Sequence, residues 1–215
     1  MNKIRKIFIF ICGLAVAMAI SVDLKKSDTT LAAEVQENFT KLSELSVEQA
    51  MSSNPYYYIN NEYYDNIVEL GVPVVEVLEK NYRNGYYGGL NAYIAGLAIQ
   101  DITNMNLYEC AGIEWETAQQ FFECWDTTIK DLPDIFSKIM NSDDTMANKV
   151  SSIEKFGIFG RYFLTSLANE NVTTLKLVDR TVSVKNYSSK DLRGFDKLSA
   201  KEMEEVGDYL ESRLK

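Results

Sequence analysis

Hydrophobic side chains recur every three or four residues in the middle of the chain. The run consists of Trp115, Ala118, Phe122, Trp125, Ile129, Leu132, Phe136 and Ile139. This a/d pattern predicts a helix that packs along one face. Pro133 lies inside the run and predicts a kink or a break, because proline removes one hydrogen bond of the helix. This apolar face, which we call the seam, fits either the core of a helical bundle or the contact surface of a homodimer. Its bulky tryptophan and phenylalanine residues favour the bundle core.

Helical spacing continues on both sides of this run. Before it, the pattern predicts helices at Tyr63–Leu70 with Gly71 as the C-cap, at Pro73–Asn84 and at Leu90–Ile102. Other helices are expected from Glu34 to about Leu45, after the capping box Ser46-Val47-Glu48-Gln49, through Met146–Phe156, through Phe159–Leu167, and after the capping box Ser199-Ala200-Lys201-Glu202. These patterns predict a mainly α fold with one compact helical domain.

A different period appears near residues 173–185. Apolar and polar residues alternate there, as in Leu175/Leu177 and Val182/Val184, with Asp179-Arg180 at the middle. This alternation predicts a small β-hairpin, although Asp-Arg is a poor two-residue turn.

The segment at about residues 61–103 resembles one HEAT-like helical pair. The opening of the pair is the run Ile67-Val68-Glu69-Leu70-Gly71-Val72-Pro73-Val74-Val75-Glu76-Val77-Leu78, and its second helix would be Ala92-Tyr93-Ile94-Ala95-Gly96-Leu97-Ala98-Ile99. The stretch from Asn54-Pro55-Tyr56 to Ile102 is also similar to part of uncharacterised exported or lipoprotein-like helical proteins of Gram-positive bacteria. The resemblance implies a packing unit without catalytic residues. A HEAT array needs several stacked units, and only one is evident here.

The amino terminus has the pattern of an export signal. Lys3, Arg5 and Lys6 precede an uncharged run over residues 7–22. Leu31-Ala32-Ala33, just before Glu34, is the better of two small-residue cleavage sites. We therefore expect residues 1–33 to be a signal peptide and residues 34–215 to be a single domain, secreted or held at the cell surface. An uncleaved N-terminal anchor is the alternative, and the membrane would then be contacted through this segment alone.

Charge and composition exclude several functions. Residues 1–33 carry a net charge of +3 and the remainder −12, so nucleic acid should be repelled. The chain has no histidine, which removes Ser-His-Asp and Cys-His catalysis and the usual zinc sites. No cofactor or metal is expected. Catalysis would have to use carboxylates, a Ser/Lys pair, tyrosine or a lone thiol. The alternative function is a carboxylate-dependent hydrolase of cell-wall material that uses acids such as Glu114, Glu116, Glu123 or Asp126.

Cys110 and Cys124 leave a disulfide open, because an exported protein permits one. The expected geometry opposes it. A helix that starts near Ile113 would place Cys124 about 16 Å along its axis, at ~1.5 Å per residue. Cys110 would then have to fold back along that helix.

Tyrosine is the feature that points most directly to function. Nine of the 13 tyrosines lie between Tyr56 and Tyr93. The predicted binding surface comprises Tyr56, Tyr57, Tyr58, Tyr86 and Tyr87. Three consecutive side chains cannot share one face, so at least one of the first three should be exposed. Tyrosine suits interfaces, and we expect a non-enzymatic protein that binds a protein, peptide or cell-wall glycan; the alternative is that the rings pack between helices.

Overall fold

The computed structural model describes residues 29–45, 54–170, 174–177, 180–184, 192 and 195–214, and this part of the chain is mainly helical, as predicted. Residues 29–45 form α1. The helices that follow are α2 (Glu62–Glu69), α3 (Pro73–Arg83), α4 (Gly89–Thr103), α5 (Leu107–Ala111), α6 (Ala118–Met140), α7 (Met146–Glu154), α8 (Gly157–Glu170) and α9 (Ala200–Leu214). A 3-10 turn at Pro55–Tyr57 precedes α2, and strands β1 (Thr174–Leu177) and β2 (Arg180–Ser183) precede α9.

Local signals set the ends of these helices. Asn61 caps α2 by accepting hydrogen bonds from the backbone of Tyr63 and Tyr64. Gly71 follows α2 in the left-handed region, at φ +77°, and Pro73 opens α3. At the other end of the chain, the predicted Ser199–Glu202 capping box is formed.

The central helix α6 differs from its prediction in two ways. It begins at Ala118 rather than near Ile113, because Thr117 and Gln120 form a capping box that sets the first turn. It also runs through Pro133 without a break, so of the kink and the break predicted there only the kink is left. Trp115 therefore precedes the helix and is only half-buried.

Most of the predicted seam lies in the core of the protein, and Ala118 and Ile139 are partly buried against it. Phe122, Trp125, Ile129, Leu132 and Phe136 are all buried. Around them α6 packs against α4, α5, α7, α9 and β2. Because elements of the same chain cover these side chains, the core interpretation is confirmed and a homodimer along this seam is not needed to bury them.

Two glycines allow α8 to pack closely. Gly157 has φ +58°, and a Cβ there would lie 2.2 Å from the carbonyl oxygen of Thr103. A Cβ on Gly160 would lie 2.0 Å from the carbonyl oxygen of Ile153. Larger residues would push α8 away from α4 and α7.

The predicted hairpin is present. β1 and β2 pair antiparallel, with Leu177 opposite Arg180 and Leu175 opposite Val182. Arg180 therefore belongs to β2 rather than to the turn. Leu177 and Val182 are buried, and β2 packs on α6.

Some predictions concern parts of the chain outside this description. Residues 1–28 of the predicted signal peptide 1–33 and the Ser46–Gln49 capping box lie outside the described residues. Residues 29–33, which include the predicted cleavage site, belong to α1, and export and cleavage remain predictions. The HEAT-like resemblance also remains a prediction, although α3 and α4 do pack against each other. Among the helices of the described ranges, none combines the length and the apolar character that crossing a bilayer requires.

Candidate functional site

Two adjoining hollows lie where the 3-10 turn, α4 and the α5–α6 loop meet. The first has a volume of about 460 Å³ and the second of about 330 Å³. Tyr56, Tyr93 and Glu116 line both, and Tyr108, Glu114 and Trp115 line the second. We call these two hollows together the aromatic cleft.

The 3-10 turn presents Tyr56 to the cleft. The side-chain oxygen of Asn54 accepts a hydrogen bond from the Tyr56 backbone N–H at 3.1 Å, and Pro55 fixes the first turn residue. Tyr56 is 59% exposed and Tyr57 is 64% exposed, whereas Tyr58 is buried. Two of the three consecutive tyrosines are therefore exposed, which agrees with the steric prediction that at least one would be.

Two aromatic rings, each tilted against the indole, hold Trp115 in place. Its ring centroid lies 4.5 Å from that of Tyr93 and 4.9 Å from that of Phe121. Phe121 can reach this position because α4 has Gly96 beneath it; a Cβ at Gly96 would lie 2.8 Å from the Phe121 ring. Trp115 is thus supported by α4 and α6 although it belongs to neither.

Hydrogen bonds fix the loop that carries the remaining lining residues. Asn106 caps α5, accepting from the backbone of Tyr108 at 2.9 Å, and Gly112 ends α5 at φ +68°. The Gln120 side-chain oxygen accepts from the backbone of Glu116 at 2.8 Å. These contacts fix the backbone positions of Tyr108 and Glu116 in the cleft.

The structure exposes some residues of the predicted tyrosine surface and buries others. Tyr56, Tyr57 and Tyr86 are exposed, but neither Tyr57 nor Tyr86 is among the residues that line the cleft. Tyr58 and Tyr87 are only 4% exposed, so they offer a ligand almost no surface.

Tyr87 is buried because two elements cover it. Its ring stacks on Phe39 of α1, with centroids 4.4 Å apart, and its hydroxyl accepts a hydrogen bond from Asn81 at 3.0 Å. Burial raises the pKa of Tyr87 to about 12. The contact with Phe39 joins segments almost fifty residues apart, which the local pattern does not reveal.

The sequence pattern missed three of the cleft's aromatic residues. Tyr93 was assigned to a helix face, Trp115 to the α6 seam, and Tyr108 to no role. The hydroxyl of Tyr56 lies close to Tyr93, whose pKa is raised first by burial and then by Tyr56. The signal available in the sequence was an aromatic residue beside two acids, in Glu114-Trp115-Glu116, just before a capping box.

The four candidate acids fall into two groups. Glu114 and Glu116 are exposed and line the cleft. Asp126 instead pairs with Arg83 at 2.9 Å and with Arg213, and Glu123 accepts a hydrogen bond from Gln119 at 2.9 Å. Only the first two are placed to meet a ligand in this cleft.

The cysteines are not joined. Cys110 and Cys124 are both free, so the disulfide that the sequence left open is absent. Cys110 lies in the short helix α5 and lines a separate hollow of about 550 Å³ between α5, α6 and α7. Burial raises the pKa of Cys110 to about 11, which keeps its thiol protonated and unreactive at neutral pH.

A buried polar network ties α9 to the rest of the protein. Glu79 is fully buried and accepts hydrogen bonds of 2.7 Å from both Trp125 Nε1 and the Tyr209 hydroxyl. Arg213 lies 3.4 Å and Arg83 3.5 Å from its other oxygen. Burial raises the pKa of Glu79, and Arg213 opposes that shift most strongly. No surface of Glu79 is open to a ligand, so its role is to join α3, α6 and α9.

No cluster of three or more metal-binding side chains occurs in the part of the chain that the structure describes. Comparison of the whole chain with protein-family models, curated proteins and solved structures gives no match.

Proposed function

We propose that this is an exported helical protein that binds a protein, peptide or glycan in the aromatic cleft. The observation that supports this most is the meeting of Tyr56, Tyr93, Tyr108 and Trp115 around two connected hollows. Tyrosine and tryptophan combine apolar rings with polar tips and are enriched where proteins recognise other molecules. The individual hollows have the volume of small ligand pockets, about 300–1,000 Å³.

The architecture of the cleft supports binding rather than simple surface exposure. Trp115 is held by Tyr93 and Phe121, and the backbone around Tyr108 and Glu116 is fixed by capping contacts. A site whose side chains are already ordered loses less conformational entropy when a ligand binds.

Paired variants of neighbouring tyrosines test this proposal. Tyr56→Ser should abolish capture of ligand on a glycan array or in a peptide pull-down, because Tyr56 lines both hollows. Tyr57→Ser is the matched control, since Tyr57 is equally exposed on the same turn but is not a cleft residue. Both variants should keep the melting temperature. Equal loss from both variants, or no loss from Tyr56→Ser, would show that the cleft is not the site.

Export is tested separately from binding. The basic n-region and apolar run predict that the mature chain begins near Glu34. Mass spectrometry of the protein from culture medium or cell surface should find that terminus. An intact Met1 on soluble protein inside the cell would contradict the proposal of export.

The second candidate function is a carboxylate-dependent hydrolase of cell-wall material. It rests on one observation, that Glu114 and Glu116 line the same cleft. A glycosidase needs two carboxyl groups about 5–9.5 Å apart. If the protein were a hydrolase, it would release reducing sugars from purified cell wall, and Glu114→Gln or Glu116→Gln would stop release while leaving binding. Binding without release favours the first function.

A further inference from the structure

The negative charge of the protein is concentrated in the segment that builds the cleft. Residues 42–129 contain thirteen Asp and Glu but only two cations, Lys80 and Arg83, a net charge of −11 compared with −9 for the whole chain. Residues 84–129 contain no lysine or arginine at all. Every residue that lines the aromatic cleft lies between positions 55 and 116.

The two cations of this segment are already engaged elsewhere. Lys80 pairs with Glu76 at 2.9 Å, and Arg83 pairs with Asp126 at 2.9 Å. Both belong to α3, which contributes no residue to the cleft. The carboxylates of Glu114 and Glu116 therefore face the hollows without a lysine or arginine among the lining residues.

Aromatic rings and carboxylates together form a site for cations. The face of a tyrosine or tryptophan ring attracts an ammonium or guanidinium group electrostatically. A lysine or arginine also places its apolar stem along such rings while its charged head reaches a carboxylate. The surrounding negative field attracts positive ligands and repels anionic ones.

We propose that the aromatic cleft binds lysine or arginine side chains of a basic peptide segment, which rests on the proposed function above and specifies its ligand. The apolar stem of the cation lies along the rings of Tyr56, Tyr93 and Trp115, and its head pairs with Glu114 or Glu116. The two hollows, which share Tyr56 and Glu116, accept two such side chains from one extended segment.

Fluorescence of the purified full chain measures this binding directly. The chain has two tryptophans, and Trp125 is fully buried, so a ligand in the cleft changes the emission of Trp115. The probes are a tetralysine peptide blocked at both ends, a blocked tetraglutamate peptide and a neutral chitin tetrasaccharide. We expect tetralysine to bind, tetraglutamate to fail, and the tetralysine affinity to fall as salt is raised.

Charge-neutralising variants distinguish binding in the cleft from nonspecific electrostatic attraction to the acidic protein. Glu114→Gln and Glu116→Gln should each weaken tetralysine binding about two- to fivefold, the range of an exposed ion pair. Glu123→Gln removes the same charge from α6 outside the cleft and should leave the affinity nearly unchanged. All three sites are exposed, and a thermal melt checks that each variant folds.

The outcomes separate this inference from the proposed function. Loss of tetralysine affinity from Glu123→Gln equal to that from Glu114→Gln and Glu116→Gln would overturn the inference, because it would show nonspecific attraction. Binding of the tetrasaccharide but not of tetralysine, abolished by Tyr56→Ser, would refute the basic-peptide ligand and keep the cleft as a binding site. No change in Trp115 emission with any probe, together with no ligand on arrays, would reject both the basic-peptide ligand and the aromatic cleft as a binding site.

Discussion

Removal of the Glu79 carboxylate should loosen the C-terminal helix α9. This carboxylate is the meeting point of three helices, because it accepts hydrogen bonds from Trp125 of α6 and Tyr209 of α9, and itself belongs to α3. It also lies within ion-pair distance of Arg213. Glu79→Ala would remove all of these interactions at once while leaving the apolar core of α6 intact.

The expected loss of stability depends on which hydrogen bonds and ion pairs each partner of Glu79 keeps in Glu79→Ala. Trp125 Nε1 retains the Tyr209 hydroxyl at 3.0 Å, and Arg213 retains Asp126. The Tyr209 hydroxyl loses its acceptor, and an unsatisfied buried donor costs about 1–3 kcal/mol. Because the positive charge of Arg213 is also left less compensated, we expect the free energy of unfolding to fall by about 3–5 kcal/mol, the usual cost of removing one partner of a buried ion pair.

Urea unfolding followed by tryptophan fluorescence measures this loss. Glu76→Gln is the matched control, since Glu76 lies on the same helix in a partly exposed ion pair with Lys80. This variant should change the free energy of unfolding by no more than ~0.5 kcal/mol. Glu79→Gln keeps the shape and one acceptor, so its stability should lie between Glu79→Ala and wild type. If Glu79→Ala were no less stable than Glu76→Gln, the buried network would not hold α9 in place.

Three further measurements test the packing and electrostatics. Phe122→Ala should lower the free energy of unfolding by about 3–5 kcal/mol, because this buried ring stacks on Tyr82 with centroids 3.8 Å apart; a thermal melt without loss would reject the seam as core. Gly157→Ala should destabilise by more than ~1 kcal/mol, since a Cβ at φ +58° would meet a carbonyl oxygen at 2.2 Å, and an unchanged urea midpoint would contradict this close contact. Burial raises the pKa of Glu79, so folding favours its protonated form. Wild type should therefore lose stability relative to Glu79→Gln as the pH rises from the ordinary pKa of glutamate through the raised pKa of Glu79. A gain in the relative stability of wild type over that pH range would refute this prediction.

Helix positions could be predicted closely because their signals are local. The predicted helices Tyr63–Leu70, Pro73–Asn84 and Leu90–Ile102 differ from the observed α2, α3 and α4 by about one residue at each end. Glycine and proline at their ends, and the spacing of apolar residues within them, act over a few positions only. The start of α6 was missed because the apolar spacing extends past the Thr117 cap to Trp115.

The candidate site could be predicted only in part. Exposure of at least one of Tyr56, Tyr57 and Tyr58 followed from the geometry of three consecutive side chains, which needs no tertiary information. Burial of Tyr58 and Tyr87 did not follow, because it depends on which distant segment covers each ring, as α1 does through Phe39. The cleft brings together residues 56, 93 and 115, and no local sequence pattern encodes contacts between residues so far apart in the chain.

The sequence by itself determined that this is a mainly helical, acidic chain without histidine, and it determined where most helices begin and end. Tertiary structure alone decided which polar side chains are buried and which aromatic side chains share a surface. Glu79 follows Leu78 and lies four residues after Val75, so a charge on an apolar helix face was visible in the sequence. Its partners Trp125 and Tyr209 come from 46 and 130 residues further along the chain, and only the packing of α6 and α9 against α3 brings them to it.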